Sequence, residues 1–237
     1  MSYRLELEML GLPKPYYDHA GITIYHGDCR EILPTLEPVD AVITDPPYGL
    51  HFQGEAWDAN MVDWLTMARK AAPVVAFTTA PTTMWDYPRP DWVMCWARQG
   101  SMSRTAHGTF NHWTPVLVYG KGTWNPDFIT IHAVESGNRS LGIRHPCPKP
   151  EKLMRWLIGG VGGTILDPFM GSGTTLVAAK QLWRRAIGIE IEEKYCEIAV
   201  KRLSQEMLPI EPIAAQPTKG VKDVTHDDAP LFDGLKA

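Results

Sequence analysis

Residues 164–190 confine this chain to a narrow set of folds. Ile165 and Leu166 form a short apolar run that ends at Asp167, and Pro168, Phe169, Met170, Gly171, Ser172, Gly173, Thr174 and Thr175 follow. The run reads as a buried strand. The glycines allow a tight turn against a ligand, and residues 174–182 read as a helix whose N-terminus points back at that turn. A second strand, residues 186–189, delivers Glu190 to the same edge, where a carboxylate can hold ribose hydroxyls. Strand, glycine turn, helix, strand and acid make a nucleoside-binding unit. A phosphate-cradling loop would need Lys where Thr174 stands, and a dinucleotide fingerprint would need a third glycine where Leu176 stands. No basic side chain lies in the turn, so a ligand without phosphates suits it.

The second constraint is residues 41–49, an apolar run broken by Asp45, Pro46, Pro47 and Tyr48. Neither proline can donate to a ladder, so the strand must stop there. A carboxylate and a phenol are thereby presented at the carboxyl end of a strand, the edge where open α/β sheets bind ligands. The fixed proline φ angles leave Asp45, the Pro46 carbonyl and the Tyr48 ring little freedom to lose. Two acceptors beside a stacking surface suit a planar amine such as that of adenine or cytosine. A strand followed by a plain proline turn is the competing reading of the tetrapeptide alone.

Taken together, the two stretches resemble the amino-methyltransferases of DNA, which move a methyl group from S-adenosylmethionine to adenine N6 or cytosine N4. Asp45-Pro46-Pro47-Tyr48 resembles the catalytic motif of that family, and residues 167–175 resemble its cofactor motif. The order, catalytic motif first, resembles the circularly permuted β group. The resemblance covers roughly residues 21–206 and implies a doubly wound α/β fold with a mostly parallel seven-stranded sheet. It also implies that S-adenosylmethionine is held by Asp28, Cys29, Asp45, His145, Lys149, Asp167, Phe169, Met170, Gly171, Ser172, Gly173, Thr174, Thr175 and Glu190.

Length and composition agree with one soluble domain: 237 residues can bury a full core, and 44% hydrophobic with 21% charged is ordinary. No apolar run approaches the ~20 residues of a membrane helix, and no secretory pattern opens the chain, so a cytoplasmic location is expected. The four cysteines lack paired metal-ligand spacing, and the chemistry requires no metal. A net charge of −4 suits DNA poorly until it is divided along the chain. Residues 89–155 hold nine basic and four acidic residues together with four of the eight histidines, and DNA is expected on that segment. A solvated face that is basic by chance is the alternative.

In chain order, residues 1–20 read as a leader laid across the domain, 21–208 as the catalytic domain and 209–237 as a flexible tail. Residues 22–26 form a strand ending at Gly27-Asp28-Cys29. Asp28 can cap a helix over 30–36, whereas the resemblance gives it a contact with the cofactor's adenine, which is the role expected here. Residues 50–60, 97–113 and 121–144 lack periodicity; the resemblance places target recognition in 121–144, which is short enough that 50–60 and 97–113 are expected to share it, with His51, Gln53, Arg98, Arg104, His107, Lys121, Arg139 and Arg144 as the expected DNA contacts. His145-Pro146-Cys147-Pro148-Lys149-Pro150 resembles the family motif preceding the cofactor strand. Pro146-Cys147 is also the dipeptide of cytosine-C5 enzymes, but a cysteine nucleophile would leave Asp45 to Tyr48 without a job. Ala229-Pro230-Leu231-Phe232 is a candidate clamp-docking peptide against the default of a disordered end.

The expected function is therefore methylation of an exocyclic amine of a base flipped out of double-stranded DNA, adenine N6 being favoured because cytosine members of the family more often carry Ser at the position of Asp45. Cytosine N4, an RNA or protein-amide substrate, and a non-catalytic DNA-binding subunit are the alternatives. A second copy of the chain, a restriction enzyme and a sliding clamp remain open as further partners.

Overall fold

The computed structural model describes residues 13–48, 64–100, 108–132 and 149–205. Among these described residues nine strands form one sheet: β1 (Tyr17–His19), β2 (Ile22–His26), β3 (Ala41–Thr44), β4 (Val74–Thr78), β5 (Trp92–Gln99), β6 (Trp113–Tyr119), β7 (Phe128–His132), β8 (Ile165–Asp167) and β9 (Ala186–Glu190). Across the sheet they lie in the order β1-β2-β9-β8-β3-β4-β6-β5-β7. The central five, β2, β9, β8, β3 and β4, are mutually parallel, and β6 runs antiparallel between β4 and β5. The inner seven make the expected methyltransferase-type sheet. The two outer strands, β1 antiparallel to β2 and β7 parallel to β5, are additions that the sequence reading did not foresee.

Those additions correct two expectations. Residues 17–19, assigned to a leader, are an edge strand, and residues 128–132, assigned to an aperiodic recognition region, are another. Both are only three to five residues long, too short for alternation to stand out. Residues 1–12, and therefore most of the leader, lie outside the described residues.

The helices are α1 (Cys29–Ile32), α2 (Leu65–Ala71), α3 (Glu151–Gly159), α4 (Thr174–Gln181) and α5 (Glu193–Ser204). α3, α4 and α5 bury Leu153, Leu157, Leu176, Ala179, Ala199 and Leu203 in one apolar cluster, which also takes Ala41 and Ile43 from β3. α1 and α2 supply Ile32, Leu65 and Ala68 to a second cluster, which takes Val42. Successive strand residues point to opposite faces, and β3 is buried throughout, apolar up to Thr44 at its end, because helices cover both of its sides. Each such Leu, Ile or Val side chain removed from water contributes about 1.5–3 kcal/mol. No described helix is long and apolar enough to cross a membrane. The chain divides into two units, Met1–Glu206 and Met207–Ala237, and the second lies outside the described residues.

Candidate active site

Because β2, β9, β8, β3 and β4 run in the same direction, their carboxyl ends share one edge. Each ends in a polar group: His26 and then Asp28 after β2, Glu190 on β9, Asp167 on β8, Asp45 after β3 and Thr78 on β4. β3 and β8 are direct neighbours in parallel register, Val42 beside Leu166. The Asp45 loop and the glycine turn therefore emerge next to one another although 122 residues separate Asp45 from Asp167. The Thr44 hydroxyl donates to Asp167 Oδ1 at 2.5 Å and ties the two strand ends together.

Asp45 is the centre of one group. Its Oδ1 accepts from the Tyr48 hydroxyl at 2.8 Å and from the buried Thr78 hydroxyl, and its Oδ2 pairs with Lys149 Nζ at 2.5 Å. The Lys149 ammonium also lies 5.3 Å from the centre of the Tyr48 ring. Burial pushes the Tyr48 phenol far above its ordinary value, and the Asp45 charge adds to that, so it remains a donor. Thr78, on the neighbouring β4, was missed by the sequence reading. A threonine at the end of an apolar strand carries no signal until register places it beside Asp45.

The second group is the turn after β8. Asp167 is 2% exposed, and its Oδ1 also accepts from the Phe169 amide at 3.1 Å. Burial raises its carboxyl to about 6, against the pull of hydrogen bonds from Thr175, Thr44 and that amide. The Gly171 amide donates to Glu190 Oε2 at 2.9 Å and the Glu192 amide to Oε1 at 2.8 Å. Burial raises the Glu190 carboxyl as well. Gly171 and Gly173 have φ of 51° and 78°, and a Cβ on Gly173 would stand 2.7 Å from the Ala199 Cβ. Only glycine meets both requirements there. Ser172, Thr174 and Thr175 are buried beneath the turn, Met170 packs into the core under Gly188, and the half-buried Phe169 ring meets Trp64 edge-on at 5.5 Å. Within residues 167–175 Phe169 and Gly171 are not buried, and with the half-buried Glu190 beside them they are what this segment leaves to a ligand.

Asp28 forms the cap that the residue reading allowed: its carboxylate accepts from the Arg30 amide at 2.8 Å and pairs with the Arg30 guanidinium. That contact holds its carboxyl below the ordinary range. Cys29 is buried, which pushes its thiol up to about 11. Both stand one strand beyond Glu190, because β2 pairs with β9.

Arg98 lies near the carboxyl end of β5, which runs in the same direction as β4 and so reaches the same edge. Its guanidinium stacks 5.7 Å over the Trp96 ring. Lys121 is different. It follows β6, the antiparallel strand, and its neighbour Thr123 bonds the Gly160 carbonyl after α3, so the fold carries it to the edge opposite Asp45. His51, Gln53, Arg104, His107, Arg139, Arg144 and His145 lie outside the described residues.

A sheet of this order, with an acceptor cluster and a glycine turn on adjacent strand ends, defines a nucleoside-using transferase of the methyltransferase fold. The family model described as DNA methylase matches residues 79–201, just over half of the chain. The chain belongs to the DNA methylase family of N6/N4 methyltransferases. It is 28% identical over 261 residues to the type II methyltransferase M.ScaI of Streptomyces caespitosus, covering 82% of this chain and 85% of that one. It is 26% identical over 252 residues to the DNA adenine methyltransferase YhdJ of Escherichia coli (strain K12), covering 76% and 82%. The crystal structure of the M1.HpyAVI–SAM complex superposes with a TM-score of 0.60 at 26% identity, covering 76% of this chain and 99% of that one.

Proposed function

We propose that this chain transfers the methyl group of S-adenosylmethionine to the exocyclic amine of a base flipped out of duplex DNA, with adenine N6 as the target atom. The observation that carries the reading is the juxtaposition of Asp45 and the residue 167–175 turn on adjacent strand ends, linked by the Thr44–Asp167 hydrogen bond. The family's activity and the M1.HpyAVI–SAM complex support the cofactor; the relative YhdJ, named as an adenine methyltransferase, and Asp rather than Ser at position 45 support adenine. The catalytic loop preceding the cofactor loop in the chain supports the permuted arrangement.

The residues present fit the cofactor. Gly171 and the half-buried Phe169 are the parts of the turn left open to a ligand, Glu190 stands beside them to take ribose hydroxyls, and the Arg202 guanidinium is engaged by Ser172 and Thr174 rather than offered to a phosphate. Bound there, S-adenosylmethionine would supply an activated methyl group on a sulfonium whose leaving form is a neutral thioether. The chain's contribution is placement. Asp45 and the Pro46 carbonyl accept the two N–H bonds of the target amine, favouring a more tetrahedral nitrogen whose lone pair is free of the ring. Pro47 fixes the turn, and Tyr48 gives the base a face to stack on. Asp45 also lies where the surplus proton of the methylated nitrogen would go.

Lys149 adds a condition. Its ammonium already holds Asp45 Oδ2 and covers the Tyr48 ring, so the incoming base must displace it from both. Arg98, on the same edge, is proposed to meet the DNA backbone, and Lys121 is not. Incubation with labelled S-adenosylmethionine and duplex DNA, followed by nucleoside analysis, tests the reading: label in N6-methyladenine is expected, label in N4-methylcytosine would move the target to cytosine, and no label in DNA would refute it.

A further inference from the structure

Arg202 is a charged side chain 9% exposed, on the face of α5 that meets the glycine turn, one residue beyond the family match. Its Nη1 donates to the Ser172 carbonyl at 2.7 Å, the Thr174 hydroxyl at 3.0 Å and the Ser172 hydroxyl at 3.3 Å. Among the described residues no carboxylate lies within ion-pair distance of it. One helical turn earlier on the same face, Ala199 stands against Gly173 so closely that a Cβ there would meet it at 2.7 Å. The turn is thus gripped from two sides, by Glu190 at the Gly171 amide and by α5 at residues 172–174. Burying a guanidinium whose hydrogen bonds go to neutral oxygens is unfavourable, only partly offset by the attraction of the Glu151 carboxylate, and a core residue of similar volume would pack there without that cost. The three bonds all end on one short segment, and that segment is where the cofactor is proposed to bind.

We infer that Arg202 is a positioning residue: from behind the crevice it holds residues 172–174 in the shape that admits S-adenosylmethionine, so that cofactor affinity depends on it while the methyl-transfer step does not. The inference rests on the cofactor proposed above. A planar fork makes several bonds at fixed angles, which a lysine ammonium reproduces only in part.

The test is calorimetric binding of S-adenosylmethionine to the full-length chain and to Arg202→Met and Arg202→Lys, with thermal melts of each and steady-state kinetics on duplex DNA. Leu203→Ala, which empties a core position of the same helix without touching the turn, is the control. Losing hydrogen bonds to a buried charge corresponds to about a tenfold or greater rise in Kd for Arg202→Met. KM for the cofactor should rise in parallel, kcat at saturation should stay within about threefold, and Arg202→Lys should fall between. Leu203→Ala should lower Tm and leave Kd unchanged. If Arg202→Met does not fold, Arg202→Lys carries the comparison. Equal Kd in Arg202→Lys and wild type, or Arg202 variants that lose only Tm as the control does, would overturn the inference. A folded wild-type chain that takes up no S-adenosylmethionine would overturn the cofactor reading beneath it and the inference with it.

Discussion

Asp45 works through what surrounds it. Its carboxylate is aimed by a phenol, a buried hydroxyl and an ammonium, each reaching it from a different segment. Asp45→Ala removes the acceptor, so methylation should drop by at least about 10²–10³-fold, the scale seen when one preorganised polar group is lost, while calorimetry still registers the cofactor. Thr78→Val keeps the shape and deletes one donor to a charged partner. That costs about 1.5–3 kcal/mol, so kcat should fall about 10–100-fold with little change in cofactor Kd. Asp167 yields a pH prediction. Its folded carboxyl is raised from 3.8 to about 6, so the folded state holds the extra proton and this group opposes folding increasingly as pH climbs through that window. Two units correspond to at most roughly 3 kcal/mol. The stability of Asp167→Asn relative to wild type should therefore improve between about pH 4 and pH 6 and level off above; a difference independent of pH would contradict the assignment. At this scale the sequence revealed the residues whose neighbours in the chain are unusual, Asp45 before two prolines and Gly171 to Gly173. It concealed Thr78, Thr44 and Arg202, which are ordinary until register and helix packing bring them to the same place.

Among the elements, the β8–turn–α4–β9 unit was legible because each part constrains the next: an apolar run, glycines, a helix and a second apolar run ending in an acid. Its structure follows that reading to within a residue or two. The ends of β5 and β6 carry little periodic signal: β5 runs through the half-buried Ala97 and Arg98 to the exposed Gln99, and β6 begins at the exposed Trp113, because cross-strand pairing continues where alternation stops. Gly173→Ala tests the turn itself. The positive φ costs about 1–3 kcal/mol in a residue bearing a Cβ, and that Cβ would also meet Ala199. A lower Tm together with weaker cofactor binding is expected; unchanged binding in a folded variant would show that the turn does not shape the site.

For the whole molecule, the parallel direction of five strands turns scattered residues into one polar edge, and the antiparallel β6 decides which basic residues can join it. Arg98 reaches that edge and Lys121 does not, a division invisible to charge counting along residues 89–155. Arg98→Ala should weaken duplex binding and reduce the slope of log affinity against log salt by about one, whereas Lys121→Ala should change neither. The claim on which all of this depends is that adjacent strand ends bring a methyl donor and an extruded base together. It is tested most directly by expressing the chain in a host that lacks its own methylases and reading the genome by modification-sensitive sequencing. N6-methyladenine at one short recurring sequence, absent when Asp45→Ala is expressed to the same level, is the expected result. A genome carrying no methylated amine despite a folded chain that binds S-adenosylmethionine, or methyl groups on cytosine C5 instead, would contradict it.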